Sequence, residues 1–288
     1  MPSQLEHRHF EHCAALVREA DRDRYLTALF APSERRDALL ALYAFNVEIT
    51  RVRDIAREPM PGEIRLQWWR EVLSGEREGE GAAHPVAAAL MASLKQYAIA
   101  PERLSAIVDA HTFDLYDDPL QTLDDLDNYA VMTQSALIDI AADILGADRS
   151  ETMMLIRSAG IAYTVAGILS GLARHVARGQ LYIPLEVLER HGAKRDEIFA
   201  RQVNEPLLAA LAEMRRHARR QLAAARADMA NAPPAMLPAL LPVGLVGSVL
   251  RPMDRRGYEP FDVQPLSLLK RQWLLWRAAR DPGRIFSA

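Results

Sequence analysis

The chain of 288 residues is half apolar, and its 35 Lys and Arg nearly balance 38 Asp and Glu, for a net charge of −3. That length and apolar share allow a sizeable core, and so even a balance gives no electrostatic case for a nucleic-acid partner. Cys13 is the single cysteine, which excludes an internal disulfide framework and a cysteine metal cluster and fits a reducing compartment.

The opening MPSQLEHRHFEHCAALVREA lacks the apolar run of a secretory signal and the Arg-rich, acid-poor composition of a transit peptide. Residues 1–19 are expected as an N-terminal helix or tail, with His7, His9 and His12 on a solvated face, and the protein is expected in the cytoplasm. Pro32 and Ser33 open the next helix, with Ser33 as N-cap. Its apolar positions Leu39, Leu42, Tyr43, Ile49 and Val52 mark one face. Pro61-Gly62 reads as a break before IRLQWWREVL, and residues 75–85, rich in Gly and charge, read as a surface loop. Further helices are predicted over 86–98, 102–116, 123–145 and 151–178, the last closed by Gly179 at C′ and Pro184 at the exit. Asp114, Asp117 and Asp118 fall in an expected solvated loop. Another helix runs over 206–229, with Leu207, Leu211, Met214, Ala218, Leu222, Ala225 and Met229 on one face. RRHARR, 215–220, reads as its solvated side. Residues 236–250 are nearly all apolar but about three short of a membrane span and hold two prolines, so a buried helix is expected. No convincing alternation for strands appears. One all-α domain covering 1–288 is predicted.

The final segment, LSLLKRQWLLWRAARDPGR, admits two readings. Leu269, Trp273 and Trp276 share a helical face, with Leu266 a turn earlier. Lys270, Arg271, Arg277 and Arg280 add positive charge, the pattern of a peripheral membrane helix. Alternatively, the tryptophans pack inward as part of the last core helix.

No P-loop, GxGxxG after a strand, HExxH or GxSxG is present. AFNVEITRVRD carries Asn46, Thr50, Arg53 and Asp54 along one stripe. One carboxylate among arginines is a poor wall for a metal site.

Four blocks in order resemble the squalene/phytoene synthase family. FAPSERRDALLALYAF is similar to its LP-x-x-x-R-x-A-x-x-A-L-Y-A-F opening, RLQWWREVL to its Leu/Trp/Arg segment and HPVAAAL to its His-Pro segment. ARGQLYIPLEVLERHGA resembles its RGR-x-YLP-x-x-x-L-x-x-x-G tail. The resemblance implies an all-α, single-domain bundle of the isoprenoid (trans-prenyl) synthase type around a central pocket. It also implies head-to-head condensation of two prenyl diphosphates, with Mg²⁺ carried by aspartates on two facing helices. Aligned on Tyr43-Ala44-Phe45, the first aspartate motif falls on Thr50, Arg51 and Asp54. Counted back from Pro184, the second falls on Gly171 and His175. Only Asp54 is an aspartate, and no Asp or Glu occurs between Glu151 and Glu186.

These departures resemble a non-catalytic branch of the family that contains a mitochondrial respiratory complex I assembly factor, through AFNVE, NYAVMTQSAL and LYIPLEVLERHG. The resemblance implies a pseudoenzyme that assists complex I assembly or binds a prenyl lipid. No cofactor and no catalytic residue is expected. The partners implied are a complex I subunit or assembly protein, a prenyl lipid or diphosphate, and the inner-membrane surface. The alternative is an active prenyl transferase that rebuilds a Mg²⁺ site from Asp54, Glu48 or the Asp114–Asp118 region. The pocket residues implied are Asn46, Glu48, Thr50, Arg51, Asp54, Gln134, Gly171, Arg174, His175, Arg178 and Tyr182. Either the pocket is vestigial, or Arg51, Arg53, Arg174 and Arg178 stand in for metal and bind an anion directly.

Overall fold

The computed structural model describes residues 4–56, 58–148 and 150–286, and no strand occurs among them. The all-α expectation is met. Contacts group the chain into two compact units. One comprises Met1–Tyr116, Ala136–Arg149 and Pro233–Ala239, the other Asp117–Ser135, Ser150–Ala232 and Leu240–Ala288.

In the first unit, α1 (Gln4–Ala20) packs on later helices through buried Cys13 and Val17. Its polar side stays in solvent, where His7 and Glu11 pair at 3.3 Å one turn apart. Helix α2 (Arg22–Ala28) starts at Asp21, whose carboxylate accepts from Arg24 N and holds the Arg24 guanidinium at 2.6 Å. Helix α3 (Ser33–Thr50) is buried all round from Ala38 to Val47 rather than along one stripe, as suits a core helix. Pro32, not Ser33, takes its N-cap position, and Ser33 is already helical. A one-turn α4 (Val52–Ile55) follows Arg51.

Helix α5 (Pro59–Ser74) begins before Pro61-Gly62, so that pair does not break the chain. In a first turn the missing proline N–H has no helical partner to lose. Gly62 gives room to Leu115, whose Cδ2 would lie 2.5 Å from an added Cβ. Gly75, at φ +86°, ends the helix. The expected loop over 75–85 contains α6 (Glu78–Ala83), because its charges fold back on α5. Arg77 bonds Glu71 and Glu80, and Trp68 donates to Glu80 at 3.0 Å. Helix α7 (Pro85–Gln96) is capped by His84 Nδ1, and burial lowers the His84 pKa. Helix α8 (Glu102–Ala110) tightens into a 3₁₀ turn, His111–Leu115, where Asp114 bonds His111 at 2.6 Å instead of lying in a solvated loop.

The predicted 123–145 helix is realised as α9 (Leu123–Ala130), a π-helical turn (Val131–Ser135) and α10 (Ala136–Ile144). Thr122 and Asp125 form a capping box at the start. Within the first unit, Arg103 on α8 grips Asp139 and Asp143 on α10. The predicted 151–178 helix is broken at Gly171 into α11 (Met153–Ser170) and α12 (Leu172–Ala177). Gly179, at φ +74°, closes α12 in the expected role.

Short helices α13 (Leu185–His191) and α14 (Arg195–Phe199) lead to α15 (Glu205–Asp228), the main partner of α11. Its predicted face is buried except for Met229, which falls in the 3₁₀ turn beyond the helix. RRHARR is not a solvated side throughout. Arg215 and His217 are buried, Arg215 against Asp254 and His217 against Asp127 at 2.7 Å on α9.

Residues 234–254 form short helical pieces that include α16 (Leu237–Leu240), a 3₁₀ turn (Leu241–Leu245) and α17 (Val246–Leu250). By length and composition this stretch and α11 could each cross a membrane, but each is 67% buried in the fold, as core helices are. The last helix, α18 (Leu268–Arg280), buries Leu275 and Ala278 and exposes both tryptophans. The core-packing reading of Trp273 and Trp276 is thereby overturned.

Candidate functional site

The AFNVEITRVRD stripe begins inside α3 and ends on α4. Asn46 is 4% exposed, and its Oδ1 has no hydrogen-bond partner. Glu48 is half-buried. Thr50 is exposed and its hydroxyl donates back to the Asn46 carbonyl at 2.8 Å, a bond that competes with the helical ladder. The helix breaks at the next residue, Arg51. Arg51 and Asp54 are exposed and Arg53 is half-buried.

The other candidates lie in the second unit, in three places. Gln134 is half-buried in the π turn. Its neighbours anchor that turn: Thr133 donates to the Tyr129 carbonyl at 2.7 Å and Ser135 to the Arg157 carbonyl at 3.2 Å. Gly160 allows the approach, since a Cβ there would lie 2.1 Å from Ser135 Oγ.

His175 and Tyr182 form the second place. Their rings meet edge-on at 5.0 Å, Tyr182 lies 6.0 Å from Tyr129, and Gln180 donates to the Tyr182 hydroxyl at 3.1 Å. Tyr129 and Gln180 escaped the sequence reading, although Tyr129 belongs to the NYAVMTQS wording that flagged Gln134. Arg178 is exposed at the end of α12.

Gly171 and Arg174 line the third place, a cavity of about 700 Å³. Apart from Ser170, its remaining wall comes from residues 248–271, including Arg255, Arg256, Tyr258 and Arg271, with Glu259 and Asp262 as the acids. None of these was a sequence candidate for the pocket, because they follow the last block of family wording. Burial pushes the Tyr258 phenol up to about 12, against the pull of Arg215, so it remains a hydrogen-bond donor at neutral pH. Its hydroxyl has no hydrogen-bond partner among the described residues, and the Arg215 guanidinium lies 5.4 Å above its ring. Four arginines and a neutral phenol form a wall suited to a phosphate or carboxylate.

Mg²⁺ takes oxygen ligands, several of them carboxylates where no substrate supplies them. Among the described residues no group of three or more His, Cys, Asp or Glu side chains is placed to hold a metal ion. Helices α11 and α12 contribute no carboxylate. Gly171 has little space for one, because an added Cβ would lie 2.8 Å from His175 Cε1 and 3.0 Å from the Gly167 carbonyl. The residues present do not fit a Mg²⁺ cluster of the family type.

The fold is similar to solved structures of two synthases. A dehydrosqualene synthase in complex with ligand matches with a TM-score of 0.82 at 16% identity, over 96% of this chain and 97% of that one. Squalene synthase HpnC from Alicyclobacillus acidocaldarius matches with a TM-score of 0.76 at 23% identity, over 91% and 98%. In sequence, the chain is 26% identical over 270 residues to the Mus musculus protein "NADH dehydrogenase (ubiquinone) complex I, assembly factor 6", covering 91% of this chain and 81% of the other. A profile described as squalene/phytoene synthase matches residues 17–277. On that match, supported by the shared fold, the chain belongs to the squalene/phytoene synthase family.

Proposed function

We propose that this protein is a non-catalytic member of its family that assists assembly of respiratory complex I at the cytoplasmic face of the inner membrane. One observation carries the reading: α11 and α12 hold no carboxylate, although the family resemblance implies the second aspartate motif at Gly171 and His175. Ionising an allylic diphosphate requires charge stabilisation of the departing pyrophosphate, and electrostatic preorganisation is usually the largest catalytic contribution. A similar protein named as a complex I assembly factor points to the assembly role. The arginine cavity favours a retained anion site over a vestigial one, with a prenyl diphosphate or another phosphate-bearing lipid as the class of ligand.

Loss of the protein in its host is expected to reduce assembled complex I on native gels. An Asp54→Ala chain should restore it. Purified protein given farnesyl diphosphate, Mg²⁺ and NADPH should release no pyrophosphate above background. The synthase-like fold keeps a second reading, an active prenyl transferase. Mg²⁺-dependent turnover abolished by Asp54→Ala would establish that reading, and unchanged complex I would remove the assembly role.

A further inference from the structure

Helix α18 has two unlike faces. Leu275 and Ala278 are buried against the Leu241–Leu245 turn, where a Cβ on Gly244 would meet Ala278 Cβ at 3.5 Å. The helix is therefore already seated on the fold. On the opposite arc, Leu269, Trp273 and Trp276 are 78%, 52% and 47% exposed, at spacings of four and three residues. Lys270, Arg277 and Arg280 fall on or beside this arc. The Arg277 guanidinium lies 5.0 Å over the Trp273 ring and that of Arg280 4.2 Å over Trp276. No Asp or Glu occurs on α18, and Asp281 just beyond it is ion-paired with Arg284.

Two exposed indoles on one face form an apolar surface, and rimming cations with no acid on the helix favour a negatively charged counterpart. Trp prefers the headgroup level of a bilayer, and Arg stems lie along apolar surface while their heads reach polar groups. We infer that α18 docks the protein on an anionic bilayer, lying in the headgroup plane with Leu269, Trp273 and Trp276 inserted and Lys270, Arg277 and Arg280 at lipid phosphates.

The full chain is sedimented with vesicles of phosphatidylcholine alone or mixed with anionic phosphatidylglycerol, at low and high salt. Uptake is expected only on the anionic vesicles and should fall with salt. Trp273→Ala with Trp276→Ala should abolish it, with circular dichroism unchanged because Leu275 and Ala278, which seat the helix, are kept. Lys270→Gln and Arg280→Gln should each weaken partitioning about five-fold, a test that survives if the tryptophan variant fails to fold. Three outcomes overturn the inference: no uptake at any composition, uptake insensitive to these changes, or a dimer dissolved by the tryptophan variant without vesicle binding. This test is independent of the anion cavity and of complex I assembly, so it can fail without touching either.

Discussion

Gly160 and Ser135 illustrate how a single side chain limits this fold. An added Cβ on Gly160 would lie 2.1 Å from Ser135 Oγ, but also 2.6 Å from its backbone nitrogen and 2.7 Å from its Cα. Backbone cannot swing aside as a hydroxyl can. Gly160→Ala is expected to destabilise by about 1–3 kcal/mol, the range for overpacking. Ser135→Ala should not rescue it, because the two backbone obstacles remain. Denaturant unfolding of the single and double variants measures this, and full recovery in the double variant would refute the backbone argument. Family wording picked out TQS in the sequence, yet its mate Gly160 carried no local signal. The contact joins separate helices, and periodicity describes only residues within one. His217 was misread for the same reason, since its buried partner Asp127 lies 90 positions away.

Among the elements, the packing of α1 on α3 has a pH signature. Burial raises the Cys13 thiol from 9.0 to about 12, and Glu48 and Asp37 on α3 add to the rise. Burial also raises the Tyr43 phenol on α3 from 10.0 to about 12, partly offset by Arg24. Both pKa values are higher folded than unfolded. Between about pH 9 and 12 the unfolded chain therefore loses protons that the native state keeps, and stability falls as pH rises. Below pH 9 both states hold these protons and the contribution is fully present. The denaturation midpoint is expected to decline from pH 9 upward, less steeply in Cys13→Ala. A decline of equal steepness in that variant would show that Cys13 does not contribute. Helix existence was legible in the sequence because long apolar periodicities such as Leu207 to Ala225 survive folding almost unchanged. Boundaries were less so. Pro61-Gly62 carries the residues of a break, but its effect depends on lying in a first turn. Residues 75–85 have loop composition, but Arg77, just before α6, pairs with Glu71 on a preceding helix.

At the scale of the whole molecule, family membership was legible because four blocks occur in order over most of the chain. The candidate site was only half legible. Alignment by wording located Gly171, Arg174, His175 and Tyr182. It could not show that Gly171 and Arg174 line a cavity whose other wall, with Arg255 and Tyr258, lies in the region after those blocks. The packing of Gly171 bears on whether this chain could carry the second aspartate motif. Suppose a mutation restored aspartate at position 171. Its Cβ would press on the His175 ring and the Gly167 carbonyl, and that ring itself meets Tyr182 edge-on. Gly171→Asp alone is expected to lower the thermal midpoint, while Gly171→Asp with His175→Ala should recover part of the loss. A single variant as stable as the parent would contradict this. If it holds, aspartate cannot be placed at 171 without penalty while His175 stays, and reaching the full motif depends on the order of steps. The His175 imidazole then works as a latch on position 171, setting the order in which the two positions can change.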